Sequence, residues 1–181
     1  MNLLADSYTL GNSEGMVRWI RQPDGGYKYD FTIAEKYMDL YGKIAGKPGV
    51  LRLDAWQRTS DAKMGVGKAT QSVTVLDPAT GKLEAIPQPP YGTPESEAFW
   101  RPVLTELRQR LAKRGWLDVA AFAWVHYSKP ADPPMVDVFH GIWPDGKWMH
   151  TAHTFPSSYG GSIKGVSMPV LCSEIGRAAG R

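Results

Sequence analysis

The residues able to do chemistry in this 181-residue chain fall mostly where candidate strands end. Asp54 and Trp56 close the stretch 50–56, in which Leu51 and Leu53 point one way and Arg52, Asp54 and Trp56 the other. Trp124 lies near the end of the apolar run 119–125 with His126 and Tyr127 just after it, and His150 and His153 stand at the end of the strand-like stretch 147–152. Asp54 is suited to accept hydrogen bonds from hydroxyl groups, with Trp56 as a stacking wall, and equally suited to an internal ion pair with Arg52 or Arg58. His126 and Tyr127 can bind hydroxyls or donate a proton; a satisfied, partly buried pair is the plainer reading. Asp132 sits directly before Pro133, so its first expectation is a helix cap rather than a general acid.

His150 and His153 form an H-x-x-H pair. Imidazoles three apart on a strand face opposite ways, unlike the i, i+4 pair of a helical zinc motif. They converge only if the strand ends near Thr151, and His126 is then a third candidate ligand; a metal-dependent hydrolase on these three histidines is therefore kept as a minor alternative. Gly65-Val-Gly-Lys-Ala-Thr70 is not a phosphate loop, because Ala69 follows the lysine and no strand leads into it with a helix behind.

The elements that must position these groups can be read from pattern. Val17–Ile20 and Tyr27–Tyr29 flank the turn Pro23-Asp-Gly-Gly26. Thr32 with Glu35 reads as a capping box, and Ile33, Tyr37, Leu40, Tyr41 and Ile44 as the buried face of the helix that follows, stopped by Gly46 and Pro48. Residues 72–86 read as a β-hairpin around Asp77–Gly81. Thr93, Pro94 and Glu95 open a second helix with a stripe of Phe99, Val103, Leu107 and Leu111, widened by Trp100 and Leu104 and closed by Arg114 and Gly115. The uncharged run 119–125 fits a parallel strand covered on both faces. A short helix from Pro133 to about His140, a strand 147–152 and a last apolar stretch 166–171 complete the chain.

Alternating helices and strands predict an α/β fold with a parallel sheet. A full (β/α)8 barrel needs about 250 residues, and three to four βα units are visible. The expectation is a single partial TIM-type barrel over 1–181, with the 72–86 hairpin inserted in it. An open part-barrel exposes strand edges, which predicts self-association.

Composition bounds the function classes. The hydrophobic share of 43% and charged share of 22% are those of a folded globular chain. The net charge of +3 is small and dispersed, without the basic footprint of a nucleic-acid binder. No apolar run approaches the ~20 residues of a membrane helix. Met1–Asp6 has neither a basic head nor an apolar stretch, so no signal peptide is visible. Cys172 is single, which excludes an intrachain disulfide. Seven Trp and eight Tyr are a heavy aromatic load, most of it expected in the core.

A set of ordered stretches carries a family resemblance. These are Asp24–Phe31 and Glu35–Leu40, then Val73-Thr-Val-Leu-Asp-Pro-Ala-Thr-Gly81 and Pro90-Tyr-Gly-Thr-Pro-Glu-Ser96, followed by Trp100-Arg-Pro102, Lys113-Arg-Gly115 and Pro144-Asp-Gly-Lys-Trp148. Together, from about Trp19 to Ser173, they resemble the middle of the family-123-like glycoside hydrolase catalytic domains, which include a branch common in environmental bacteria. The resemblance implies a (β/α)8 scaffold, no metal or organic cofactor, a carbohydrate substrate, and a secreted or periplasmic location. It implies retaining hydrolysis of terminal glycosides, N-acetylhexosaminides among them, in which the substrate's 2-acetamido group is the nucleophile. An Asp would orient that group and a neighbouring Glu act as acid, outside the two-protein-carboxylate scheme. The sequence departs from this pattern: it has no adjacent Asp-Glu pair, and His126 and Tyr127 stand where carboxylates are wanted. The implied pair is therefore not carried onto this chain, which reads as part of a longer enzyme. Asp54, Trp56, Trp124, His126, Tyr127, His150 and His153 are the expected sugar-binding set. A non-catalytic carbohydrate-binding domain is the alternative from a different class.

Overall fold

A computed structural model describes residues 1–5, 12–55, 72–90, 92–125, 133–151 and 163–167. In chain order the elements are β1 (Arg18–Arg21), β2 (Tyr27–Asp30), α1 (Thr32–Ala45), β3 (Leu51–Asp54), β4 (Ser72–Leu76), β5 (Leu83–Pro87), α2 (Pro94–Arg114), β6 (Ala120–Val125), α3 (Pro133–Ile142), β7 (Lys147–Thr151) and β8 (Ile163–Ser167).

Two four-stranded sheets form. One has the order β3-β6-β7-β8, with every pairing parallel, so its strands stand side by side in the order of the sequence. This matches the α/β expectation, and β6, the uncharged run, is a central strand paired on both sides. The other sheet has the order β2-β1-β4-β5. Its β4–β5 ladder is the expected hairpin, yet β4 also pairs in parallel with β1, so the segment is built into a sheet with the β1–β2 hairpin.

Residues 1–5 join the sheets. Asn2 lies in a parallel bridge with Asp54; Leu3 N donates to Asp54 O at 2.9 Å and Asp54 N to Met1 O at 2.8 Å. Ala5 N then donates to Ser72 O of β4 at 2.8 Å. Gly15 runs against this segment so closely that a Cβ there would lie 2.7 Å from Leu3 O.

α2 forms as its sequence predicts. Thr93 accepts from Ser96 N, Pro94 begins the helix, and Gly115 caps it in the left-handed region at φ 75°. Trp100, Val103, Leu104, Leu107 and Leu111 are fully buried. α2 packs beside α3, and Phe139 of α3 meets Trp100 of α2, Phe122 of β6 and Trp148 of β7 at ring-centroid distances of 5.8, 4.9 and 5.6 Å. Trp19, Trp100, Trp116, Trp143 and Trp148 are all buried, so five of the seven tryptophans are core.

α1 departs from its expectation. Phe31 occupies the N-cap without a side-chain bond, and Thr32 N is instead taken by Asp30 Oδ1 at 2.9 Å. Glu35 reaches across to Arg110 and Arg114 of α2 rather than back to its own helix start. The residues that α1 buries are Ala34 and Met38, whereas Tyr37, Leu40, Tyr41 and Ile44 are exposed, Ile44 by 76%. Of the apolar stripe read from the sequence, Ile33 is half-buried and the other four are exposed, with Tyr41 set edge-on to Trp116. The small Gly42 packs against Trp116, and the acidic Glu35 and Asp39 face α2.

Candidate functional site

The parallel sheet has two faces of different character. On β3, Leu51 and Leu53 join the core shared with the helices, as Phe122 and Trp148 do on β6 and β7. Strand alternation then turns Arg52, Asp54, Ala121, Ala123 and Met149 to the opposite face. In the ladder Asp54 stands beside Asn2 on one side and Ala123 on the other, and Ala123 stands beside Met149. One cross-strand row at the C-terminal end of β3 is thus Asn2, Asp54, Ala123, Met149. Arg52 and Ala121 lie in the row before it.

Arg52 donates to Asp54 Oδ1 from Nε at 2.8 Å and from Nη2 at 2.6 Å. The internal pair weighed from the sequence is present, and Asp54 is 7% exposed. Both bonds converge on Oδ1, and Oδ2 takes no hydrogen bond from the described residues. The arrangement leaves an acceptor oriented by a neighbouring guanidinium, beside two alanines that present only a methyl group.

Of the other residues selected from the sequence, Trp124 and His150 lie on β6 and β7 as register partners, so the topology brings these two positions together, but strand alternation puts them on the face of Phe122 and Trp148 and not on that of Asp54. Trp56, His126, Tyr127, Asp132 and His153 lie outside the described residues. Among the described residues no group of three His, Cys, Asp or Glu stands together to hold a metal ion. No described helix is long and apolar enough to cross a membrane. The groove between α1 and α2 is lined by Glu35, Arg110 and Arg114 among others, on the helical side, and Glu35 forms ion pairs with both arginines.

Asn2 is the member of the row that sequence reasoning missed. Met1–Asp6 was informative only as a possible leader, and the short apolar run Leu3-Leu4-Ala5 is the one signal for a buried strand there.

The described residues define a mixed α/β protein in which Asp54 stands at the C-terminal end of a parallel strand. Residues 6–135 match the family model described as glycoside hydrolase 123, catalytic domain, and the chain belongs to that family. No curated protein matches it. Among solved structures it is similar to a family 123 glycoside hydrolase from Clostridium perfringens, studied for glycolipid glycan hydrolysis, with a TM-score of 0.67 and 13% identity. The match covers 94% of this chain and 30% of that one, so the chain spans about a third of the neighbour's length. At that identity the likeness is one of fold.

Proposed function

We propose that this chain is part of a (β/α)-barrel domain of a carbohydrate-active enzyme. The sheet face that carries Asp54 would line a pocket for a terminal sugar, with N-acetylhexosaminides as the substrate class. The observation that carries this reading is the family membership, joined to a sheet whose parallel strands follow sequence order. Barrel enzymes place their chemistry at the C-terminal ends of strands, where Asp54 stands. In this reading residues 1–181 are one partial barrel domain, and the 72–86 hairpin belongs to it. Asp54, Trp56, His126, Tyr127 and His153 bind the sugar, and Trp124 and His150, which alternate onto the face of Phe122 and Trp148, would do so only from the strand-end rim. Asp54 accepts a hydroxyl hydrogen while Arg52 holds its carboxylate in place, and the aromatic residues offer flat faces to the ring. Membrane, nucleic-acid and metal partners have no part in it.

The absence of any adjacent Asp-Glu pair in the sequence favours a second reading, in which this chain binds sugar without turning it over. One experiment separates the two. The 181-residue chain is incubated with 4-nitrophenyl N-acetyl-β-D-galactosaminide and separately titrated with N-acetyl-D-galactosamine. Release of 4-nitrophenol supports the catalytic reading. Saturable binding without release, weakened about tenfold by Asp54→Ala, supports the binding reading. Neither release nor binding overturns both.

A further inference from the structure

We infer that the flank of α1 turned away from α2 is a docking surface for one further helix, supplied by the remainder of the longer enzyme, which brings an apolar seam and carboxylates set against Lys36 and Lys43. The inference rests on the reading of this chain as part of a larger domain, and adds to it where the remainder attaches and with what charge.

Five of the six large apolar side chains exposed among the described residues, Tyr37, Leu40, Tyr41, Ile44 and Val50, lie on α1 and the approach to β3. Such a concentration marks an interaction surface rather than ordinary scatter. The turn of an α-helix, about 100° per residue, places it. Ala34 and Met38 point into the core. Glu35 and Asp39, which bind arginines of α2, stand about 100° round the helix from them on one side. Ile33, Tyr37, Leu40 and Ile44 stand about as far round on the other. α2 packs beside α3 in turn, so the helices form a row α1-α2-α3. The apolar flank faces the open end of that row, where its next helix would lie.

The pattern on this flank specifies its occupant. Ile33, Tyr37, Leu40 and Ile44 follow one another at spacings of four, three and four, the seam of two helices packed side by side. One rim of the seam is Ala34 and Tyr41, next to the core. The other is Lys36 and Lys43, both exposed and neither in an ion pair among the described residues. A second copy of the chain fits poorly. Two α1 helices set antiparallel would face lysine rim to lysine rim, and set parallel would face lysines to Ala34 and Tyr41, so no carboxylate meets the lysines in either. A lipid surface fits less well too, since its hold scales with the apolar area inserted and the seam offers three exposed side chains. A chain that covers 30% of its structural neighbour leaves most of that neighbour's length to supply the helix instead.

The test uses two fluorescently labelled helical peptides with leucine at the seam positions, one with glutamate on both rims and one with lysine. Each is titrated with the 181-residue chain and followed by anisotropy. The expected result is saturable binding of the glutamate peptide, with a Kd raised about tenfold for the lysine peptide and for Leu40→Lys. The doubly reversed chain, Lys36→Glu with Lys43→Glu, should exchange the preference and take the lysine peptide. All three positions are exposed, so the variants keep the core intact. No binding of the glutamate peptide, equal binding of the two peptides, or binding that the variants leave unchanged overturns the inference. So does a chain that ignores the peptides but forms dimers dispersed by Leu40→Lys, or sediments with phosphatidylserine vesicles, because another occupant then takes this face. Titration of the same samples with N-acetyl-D-galactosamine separates the readings. Sugar bound without peptide overturns the docking inference alone, and neither bound overturns the carbohydrate reading as well.

Discussion

Glu35, in the first turn of α1, is bonded by two arginines of α2, Arg110 at 3.2 Å and Arg114 through its other oxygen. Arg114 also reaches Asp39 one turn further along α1 at 2.7 Å, and Arg110 lies over the Phe31 ring at 4.5 Å. Four contacts thus fasten the helix preceding β3 to the helix that follows it, and β3 carries Asp54 between them.

Replacing Glu35 tests that fastening. The pair is half-buried, with Arg114 22% and Glu35 28% exposed, so its contribution lies above that of an exposed ion pair. Glu35→Gln is expected to lower stability by about 1 kcal/mol, or roughly 2–4 °C in Tm for a chain of this size. Glu95→Gln, in the first turn of α2 and exposed, is the comparison and should change Tm little. Equal shifts in thermal melts of the two variants would show that the arginine contacts add nothing.

How much of this was legible in the sequence differs by element for physical reasons. α2 could be read end to end because its signals agree: Thr93, Pro94, the buried stripe and Gly115 all specify one helix. α1 could not, because its apolar and charged flanks compete for the same reading. The charged flank faces α2 through partners 75 and 79 residues away, which no local pattern reveals. At the site, Asp54 was visible by its place at a strand end, while Asn2 was not. Its place in the row arises from a bridge between residues 52 positions apart in the chain. Nor does spacing alone disclose that Thr74 of β4 accepts from Gly15 N at 2.8 Å, fixing the strap beside residues 1–5.

The N-terminus of α1 carries a pH dependence of definite sign. Hydrogen bonds from Thr32 hold the Asp30 carboxyl below its ordinary value. A group whose folded pKa is depressed contributes stability that is fully present above its unfolded value, about 3.9, and lost as pH falls through the folded one. Asp30→Ala should therefore be less stable than wild type at neutral pH. The gap between the two should close as pH drops below about 4. Denaturant titrations of both proteins along a pH series check this; a gap that persists undiminished in acid would mean that the carboxylate is not its source.

The exposed stripe of α1 gives a prediction opposite to that of its pattern. If the stripe were core, charge at Leu40 or Ile44 would unfold the chain. With Leu40 60% and Ile44 76% exposed, Leu40→Lys and Ile44→Lys should stay within about 0.5 kcal/mol of wild type. Met38→Ala, on the buried face, should cost about 2–5 kcal/mol. Urea midpoints of the three variants decide which face of the helix holds the core.

Gly15 links the packing of the chain to the site. Its backbone passes so near residues 1–5 that an added Cβ would fall 2.7 Å from Leu3 O and 3.0 Å from Leu3 C, both backbone atoms that cannot swing aside as a side chain can. Either Gly15 or Leu3 must then move, and Leu3 N is the donor that holds this segment to Asp54 O. Gly15→Ala is expected to lower stability by about 1–3 kcal/mol. Because the displaced segment is bonded to the backbone of Asp54, the same variant should weaken sugar binding although residue 15 does not touch the ligand. Gly49→Ala, where the added Cβ meets nothing within 4 Å, should leave both properties unchanged. Melting and N-acetyl-D-galactosamine titration of the two variants make the comparison. Loss of stability in Gly15→Ala with binding unaltered would mean that the position of residues 1–5 does not matter to the site.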